Sequence, residues 1–174
     1  SFEEMNRRIS QVEFGDRSGE LVSVMAKIAD SQVFDWWKAV YYKERGVDAL
    51  SEKELAAVAD GMAGVDAALR KLMDIEEQIR RMMAVLPART NEMLHACLVA
   101  VRGAELFQKI GAVIAAGVQH RETAATADGV QLAAELEEWF MFYKEVWRSV
   151  SRESELYRIE EVVFWYADLL RGSV

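Results

Sequence analysis

EKELAAVADGMAGVDAALRKLMDIEEQIRRMMAVL, residues 52–86, is the stretch whose reading decides the fold. Leu55, Val58, Met62, Val65, Leu69, Leu72, Ile79, Met83 and Leu86 follow steps of three and four, with one interruption at Glu76. That spacing lines one face of a 3.6-residue period and forms a heptad-like apolar stripe. Such a seam packs against neighbouring helices near 20°, the geometry of helical bundles. Ser51 followed by Glu54 is a capping-box pattern, in which hydroxyl and carboxylate each satisfy an orphan backbone group at a helix start. If unbroken, the helix would span roughly 52 Å, against a radius of gyration of about 16 Å for a compact chain of this length. The bundle is therefore elongated, or the helix bends near Gly61 and Gly64.

Outward from this stretch, almost nothing interrupts helix. Pro87 is the single proline, and β-branched clusters are sparse. The chain reads as one all-α domain over residues 1–174, an antiparallel helical bundle of about five long helices. The expected long helices are Gly19 to Arg45, Glu52 to Leu86, Asn91 to Gln119, Gly129 to Val150 and Arg152 to Arg171. A short helix and entry segment occupy residues 1–17. Asp128 is the expected N-cap of the fourth helix, Ser151 or Ser154 that of the fifth, and Gly172 a left-handed terminator. Ala96, Ala100 and Ala104, with Gly103, Gly111 and Ala115, give the third long helix a small face. Bulky side chains from the Leu/Met stripe or from the Trp-rich C-terminal hairpin are expected to lie over it. Glu105 and Lys109 form an i,i+4 pair expected at a solvated edge.

With 52% apolar and 29% charged residues, the composition is that of a folded chain able to bury a core without staples. A net charge of −8, with Lys and Arg scattered among the acids, argues against nucleic acid and gives no support for an anionic membrane surface. The most apolar window, Leu94 to Val118, contains Arg102, Glu105 and Lys109, so no membrane span is expected. Glu3, Glu4, Arg7 and Arg8 interrupt the place where the apolar core of a signal peptide would lie. Cytoplasmic and secreted locations both stay open. The single cysteine, Cys97, excludes an intrachain disulfide and reads as a buried thiol.

The last third carries two amphipathic helices dense in aromatics. Leu132, Leu136, Trp139, Phe140, Tyr143, Val146, Trp147 and Val150 share one face, and Leu156, Ile159, Val163, Tyr166 and Leu170 another. The order Tyr143-Lys144-Glu145-Val146-Trp147, Ser151-Arg152-Glu153-Ser154-Glu155-Leu156-Tyr157-Arg158-Ile159 and Trp165-Tyr166-Ala167-Asp168-Leu169-Leu170-Arg171 resembles the C-terminal end of some glycoside hydrolase family 20 enzymes. Those enzymes are β-N-acetylhexosaminidases. The resemblance is best over about the last 35 residues. Its members use an adjacent Asp-Glu pair at a barrel strand end, an exception to the usual two-carboxylate scheme. No Asp in this chain is followed by Glu, and 174 residues are fewer than the roughly 250 of such a barrel. The resemblance thus implies a C-terminal fragment of a longer enzyme: a helical accessory domain with no catalytic residue of its own. Its implied partners are the catalytic barrel domain of the same chain and a possible second copy in a homodimer. A free-standing helical interaction module is the alternative.

Phe34, Trp36, Trp37, Tyr41 and Tyr42 are five aromatics within nine residues, too many for one side of a helix. Trp37 and Tyr41 share a face with Phe34, whereas Trp36 lies about 100° from Trp37. Either a helix buried on two sides or an aromatic surface left for a sugar or a partner accounts for them. Trp36, Trp37, Tyr41 and Tyr42 are the candidate surface. Glu92 and His95 form half of a di-iron Glu-x-x-His pattern, and His120 has no Glu three residues before it, so no metal site is expected. Met62, Met73, Met82 and Met83 are expected in the core, and no motif asks for a cofactor.

Overall fold

The computed structural model describes residues 1–46, 50–118, 126–151 and 153–172. Eight α-helices occupy them: α1 (Phe2–Phe14), α2 (Leu21–Asp30), α3 (Trp36–Arg45), α4 (Glu52–Gly61), α5 (Val65–Val85), α6 (Asn91–Val118), α7 (Ala127–Val150) and α8 (Leu156–Leu170). No strand occurs among the described residues, and the protein is an all-α bundle. Two of the expected long helices are each divided in two. The first breaks at residues 31–35, where Asp35 takes an extended conformation and its carboxylate caps Lys38 N–H. The second breaks at Gly61–Gly64, where Gly64 takes the left-handed conformation (φ 87°) open to glycine.

Local signals predict helix starts unevenly. Ser51 and Glu54 form both hydrogen bonds of the capping box. Gly172 closes the chain with φ 71°, as expected. Thr126, not Asp128, caps α7 by accepting from Gly129 N–H. Neither Ser151 nor Ser154 caps α8: Ser151 ends α7, and a 3-10 turn at Glu153–Glu155 leads into α8 with no side-chain cap. At the other end of the chain, buried Asp16 caps α2 from a distance by accepting from Leu21, Glu20 and Ser18 N–H. Burial opposes ionisation of Asp16, but these bonds and that from the Ser18 hydroxyl outweigh it and hold its carboxyl below the usual range.

Helix α6, 28 residues and about 42 Å long, is the spine. Its N-terminal half (Leu94, Cys97, Val101, Ala104) packs with Leu21, Val24 and Ile28 of α2 and with Leu72, Ile75 and Ile79 of α5. Its C-terminal half (Leu106, Phe107, Ile110, Ile114) joins a second core with α3, α4, α7 and α8. Consecutive helices α5 to α8 pack on one another and are cross-linked by the ion pairs Glu76 to Arg102, Lys109 to Glu135 and Arg171 to Glu137. The break in the apolar stripe at Glu76 has a simple cause. Ile75 takes the core position, and Glu76 sits half-buried at the edge facing α6. Met62 and Met82 lie in the core as expected, Met83 is half-buried, and Met73 faces solvent.

The small face of α6 receives bulky partners at its glycines, and Ala104 is buried in the core with Leu72, Ile75 and Ile79. A Cβ on Gly103 would stand 2.4 Å from Cζ2 of Trp139, and one on Gly111 2.8 Å from Cβ of Phe34. Ala100 is exposed. Gly103→Ala is therefore expected to push the Trp139 indole out of its seat at a cost of about 2 kcal/mol. Urea unfolding, with a change in the tryptophan emission of the folded protein, checks it.

One buried polar residue joins the two cores. Gln108 is fully buried, and its Oε1 accepts from the N–H groups of Val33 and Phe34, both at 2.9 Å. Its Nε2 donates to the carbonyls of Phe34 and Ala104, both at 3.0 Å. The α2–α3 connection is thereby stitched to the spine.

Candidate functional site

The aromatic cluster is divided between core and surface. Phe34 precedes α3 and is fully buried, so it does not share the Trp37 and Tyr41 face as the periodicity predicts. Phe107 is the hub of a ring cluster, with Phe34, Trp36, Trp139 and Tyr166 around it at centroid distances of 6.0–6.4 Å. Tyr42 is buried edge-on to Trp165, and burial pushes its phenol up to about 12. The Tyr166 hydroxyl donates to the Ala39 carbonyl at 2.6 Å and fastens α8 to α3. Trp37 and Tyr41, by contrast, are 78% and 56% exposed. Of the four candidate surface residues, Trp36 and Tyr42 therefore belong to the core side of α3 and Trp37 and Tyr41 to its outer side. On that outer side the Arg45 guanidinium lies 5.8 Å from the Tyr41 ring centroid, and Tyr41 Oη accepts from Arg45 Nε.

A second feature, which periodicity did not single out, is a cleft of about 430 Å³ between α5, α6 and α7. Helix α5 contributes Glu76, α6 contributes Arg102, Glu105 and Lys109, and α7 contributes Glu135, Glu138 and the rings of Trp139 and Phe142. The Trp139 indole N–H donates to the Val99 carbonyl at 2.8 Å, which fixes that wall. Glu76 Oε1 accepts from Arg80 and, at 3.0 Å, from Arg102 Nε across the α5–α6 seam. Burial opposes its ionisation, yet the two guanidiniums hold its carboxyl below the usual range. Lys109 donates to Glu135 of α7 at 3.2 Å, so it is not held by Glu105 in the expected i,i+4 pair.

Glu105 is left in an unusual position. Its Oε1 is buried and has no hydrogen-bond partner. Burial first, and the Glu76 carboxylate second, push its carboxyl up to about 7, against the weaker pull of Lys109 and Arg102. When both acids are ionised, neither can donate to the other. A proton on Glu105 can be shared with Glu76, which adds to burial in favouring the neutral form. Sequence reading missed Glu105 because an isolated Glu four residues before a Lys looks like a surface pair. The available signal was a Glu interrupting the apolar stripe of α5 together with charges inside the most apolar window of α6.

Glu92 and His95 are exposed, and His95 borders the cleft. His120 lies outside the described residues. Among the described residues, no three His, Cys, Asp or Glu side chains lie close enough together to hold a metal ion. Cys97 is buried in the α2–α5–α6 core, and burial raises its thiol and keeps it protonated. Among the described residues, no helix is long and apolar enough to cross a membrane.

Fold and sites together define an all-α bundle with an exposed aromatic edge on α3 and a polar cleft beside its spine. No protein-family model matches the chain, nor does any curated protein or solved structure.

Proposed function

We propose that this chain is a non-catalytic helical accessory domain of a family 20 β-N-acetylhexosaminidase, seated against the catalytic barrel of the same polypeptide through Trp37 and Tyr41. The observation that carries the reading is the division of the α3 aromatics, with two rings built into the core and two left outside it. Helix α3 is fastened to α8, which carries the Trp165-Tyr166 to Arg171 part of the resemblance. Arg171 also grips Glu137 of α7 through two bonds of 2.7 and 2.8 Å. The residues of the resemblance therefore have packing work to do, and the helix that bears the outward rings is fastened to them through Ala39 and Tyr42. Indole and phenol rings bury much apolar area for few rotatable bonds, which is why such residues anchor interfaces. Hydrolysis of terminal N-acetylhexosamine would belong to the barrel.

The test is an assay on a chromogenic N-acetylglucosaminide, with this chain alone and with the chain joined to whatever its gene encodes upstream. Activity is expected only in the longer protein. There, Trp37→Ala with Tyr41→Ala is expected to lower the thermal midpoint of the barrel, while changing the stability of the isolated chain by no more than about 0.5 kcal/mol. Inactivity of both proteins would overturn this reading in favour of a free-standing interaction module. Sedimentation of the chain alone would then ask whether the same face forms a homodimer.

A further inference from the structure

Helix α1 is amphipathic, and its apolar side faces away from the rest of the protein. Phe2, Met5, Ile9 and Val12 follow steps of three, four and three, which places them in one stripe along two heptads. Phe2, Met5 and Val12 are 78%, 47% and 63% exposed, and Ile9 is half-buried. None of the four belongs to either core, to which α1 contributes only Phe14. The side that meets the bundle lies roughly 150° round the helix and is mostly polar. There buried Ser10 accepts from Val22 N–H at 3.0 Å, Arg7 packs against Gly19, and the Phe14 carbonyl accepts from the Thr90 hydroxyl. A surface helix ordinarily turns such a stripe to its own core. Here the polarity is reversed, and a continuous apolar row is left for something outside the fold.

The charges beside the stripe select its occupant. With Phe2 and Ile9 at heptad position a and Met5 and Val12 at d, Arg8 occupies g and Glu13 the e position of the next heptad. Both are exposed, and neither makes an ion pair among the described residues. In a parallel pair of α1 helices, Arg8 of each copy faces Glu13 of the other and gives two attractive contacts. Antiparallel pairing instead brings g against g and sets Arg8 near Arg8. Glu3, Glu4 and Glu13 outweigh Arg7 and Arg8, which disfavours an anionic membrane as the occupant. Because the bundle attaches on the far side of α1, two copies can meet along their stripes with their bodies outward.

We propose that α1 is a self-association surface, on which two copies of this chain pair through parallel α1 helices and bury Phe2, Met5, Ile9 and Val12 across a two-fold axis. The surface is independent of the accessory-domain reading, and either can fail without the other. Two heptads make a small interface, so the dimer is weak and reversible, with a dissociation constant on the order of 100 μM.

The test is sedimentation velocity of the full chain from about 5 to about 500 μM, a range that brackets this constant. The 19.7 kDa monomer is expected to give way to a species of twice that mass as concentration rises. Val12→Asp should abolish the dimer, while the circular dichroism and thermal midpoint of the dilute chain stay unchanged because Val12 is exposed. Arg8→Glu turns both attractive contacts repulsive and should weaken dimerisation about tenfold. Adding Glu13→Arg to it exchanges the charges and should restore the parental affinity. Trp37→Ala with Tyr41→Ala should leave the dimer intact, which separates this surface from the outer side of α3. A chain that stays monomeric, a dimer that survives Val12→Asp or is lost with Trp37 and Tyr41, or a charge exchange that restores nothing would each overturn the proposal. A monomer that instead sediments with phosphatidylcholine vesicles, and ceases to in Val12→Asp, would assign the stripe to a lipid surface and overturn it equally.

Discussion

Replacing Gln108 with leucine is expected to lower the unfolding free energy by about 3–5 kcal/mol, despite the gain in apolar character at a fully buried position. The side chain accepts from Val33 and Phe34 N–H and donates to the Phe34 carbonyl. Leucine leaves these backbone groups without a partner where water is excluded, and each buried unsatisfied group costs about 1–3 kcal/mol. The Ala104 carbonyl loses only its additional donor. Gln108→Glu separates satisfaction from shape: it can still accept from the two N–H groups but, when ionised, cannot donate to Phe34. It should therefore retain part of the loss at neutral pH and less of it in acid. Urea denaturation of both variants checks the order. Hydrogen exchange at Val33 and Phe34 should show the α2–α3 connection opening first in Gln108→Leu.

Glu105 gives the second large effect, and its direction runs opposite to acid denaturation. Its carboxyl is raised from 4.5 to about 7 in the folded protein, with burial as the leading cause. The stability associated with the protonated form is fully present below the unfolded value and is lost as pH rises towards 7. At about 1.4 kcal/mol per unit, the loss amounts to at most about 3 kcal/mol. Glu105→Gln mimics the neutral acid and should match the parent near pH 5. At pH 8 it should exceed the parent by up to about 3 kcal/mol, less whatever relaxation and water entry already relieve. Thermal midpoints across this range measure the difference. A parallel stability profile for the two proteins would mean that Glu105 is solvated in solution. Glu76→Gln should recover only the smaller part of the gain, because repulsion ranks below burial among the causes, and it also releases Arg80 and Arg102.

Much of the fold is written locally. The periodicity of Leu132, Leu136 and Phe140, and of Val163, Tyr166 and Leu170, marks faces that are buried. Ser51 and Glu54 make their capping box because both partners lie within one turn. Thr126 rather than Asp128 caps α7 because a cap depends on the backbone conformation of the residue that enters the helix, and Thr126 is the one in the extended region. The break at residues 31–35 was hidden for another reason. Its backbone groups are satisfied by Gln108, more than seventy residues away, and no local pattern records that partner.

The candidate sites divide along the same line. An aromatic run at residues 34–42 is visible in the chain, but which rings face outward depends on where α3 begins and on the Tyr166 to Ala39 bond that turns it. The cleft was less visible still. Lys109 had two acids within reach, and the approach of α7 gave it to Glu135 and left Glu105 to burial. By itself, then, the order of residues determined that the chain is helical, which faces are apolar and where several helices start and stop, since these depend on dihedral preferences and on neighbours within a turn or two. Only the tertiary structure decided which carboxyl loses its water, which lysine finds which partner and which tryptophan stays outside, because desolvation and ion pairing depend on surfaces that distant helices bring together.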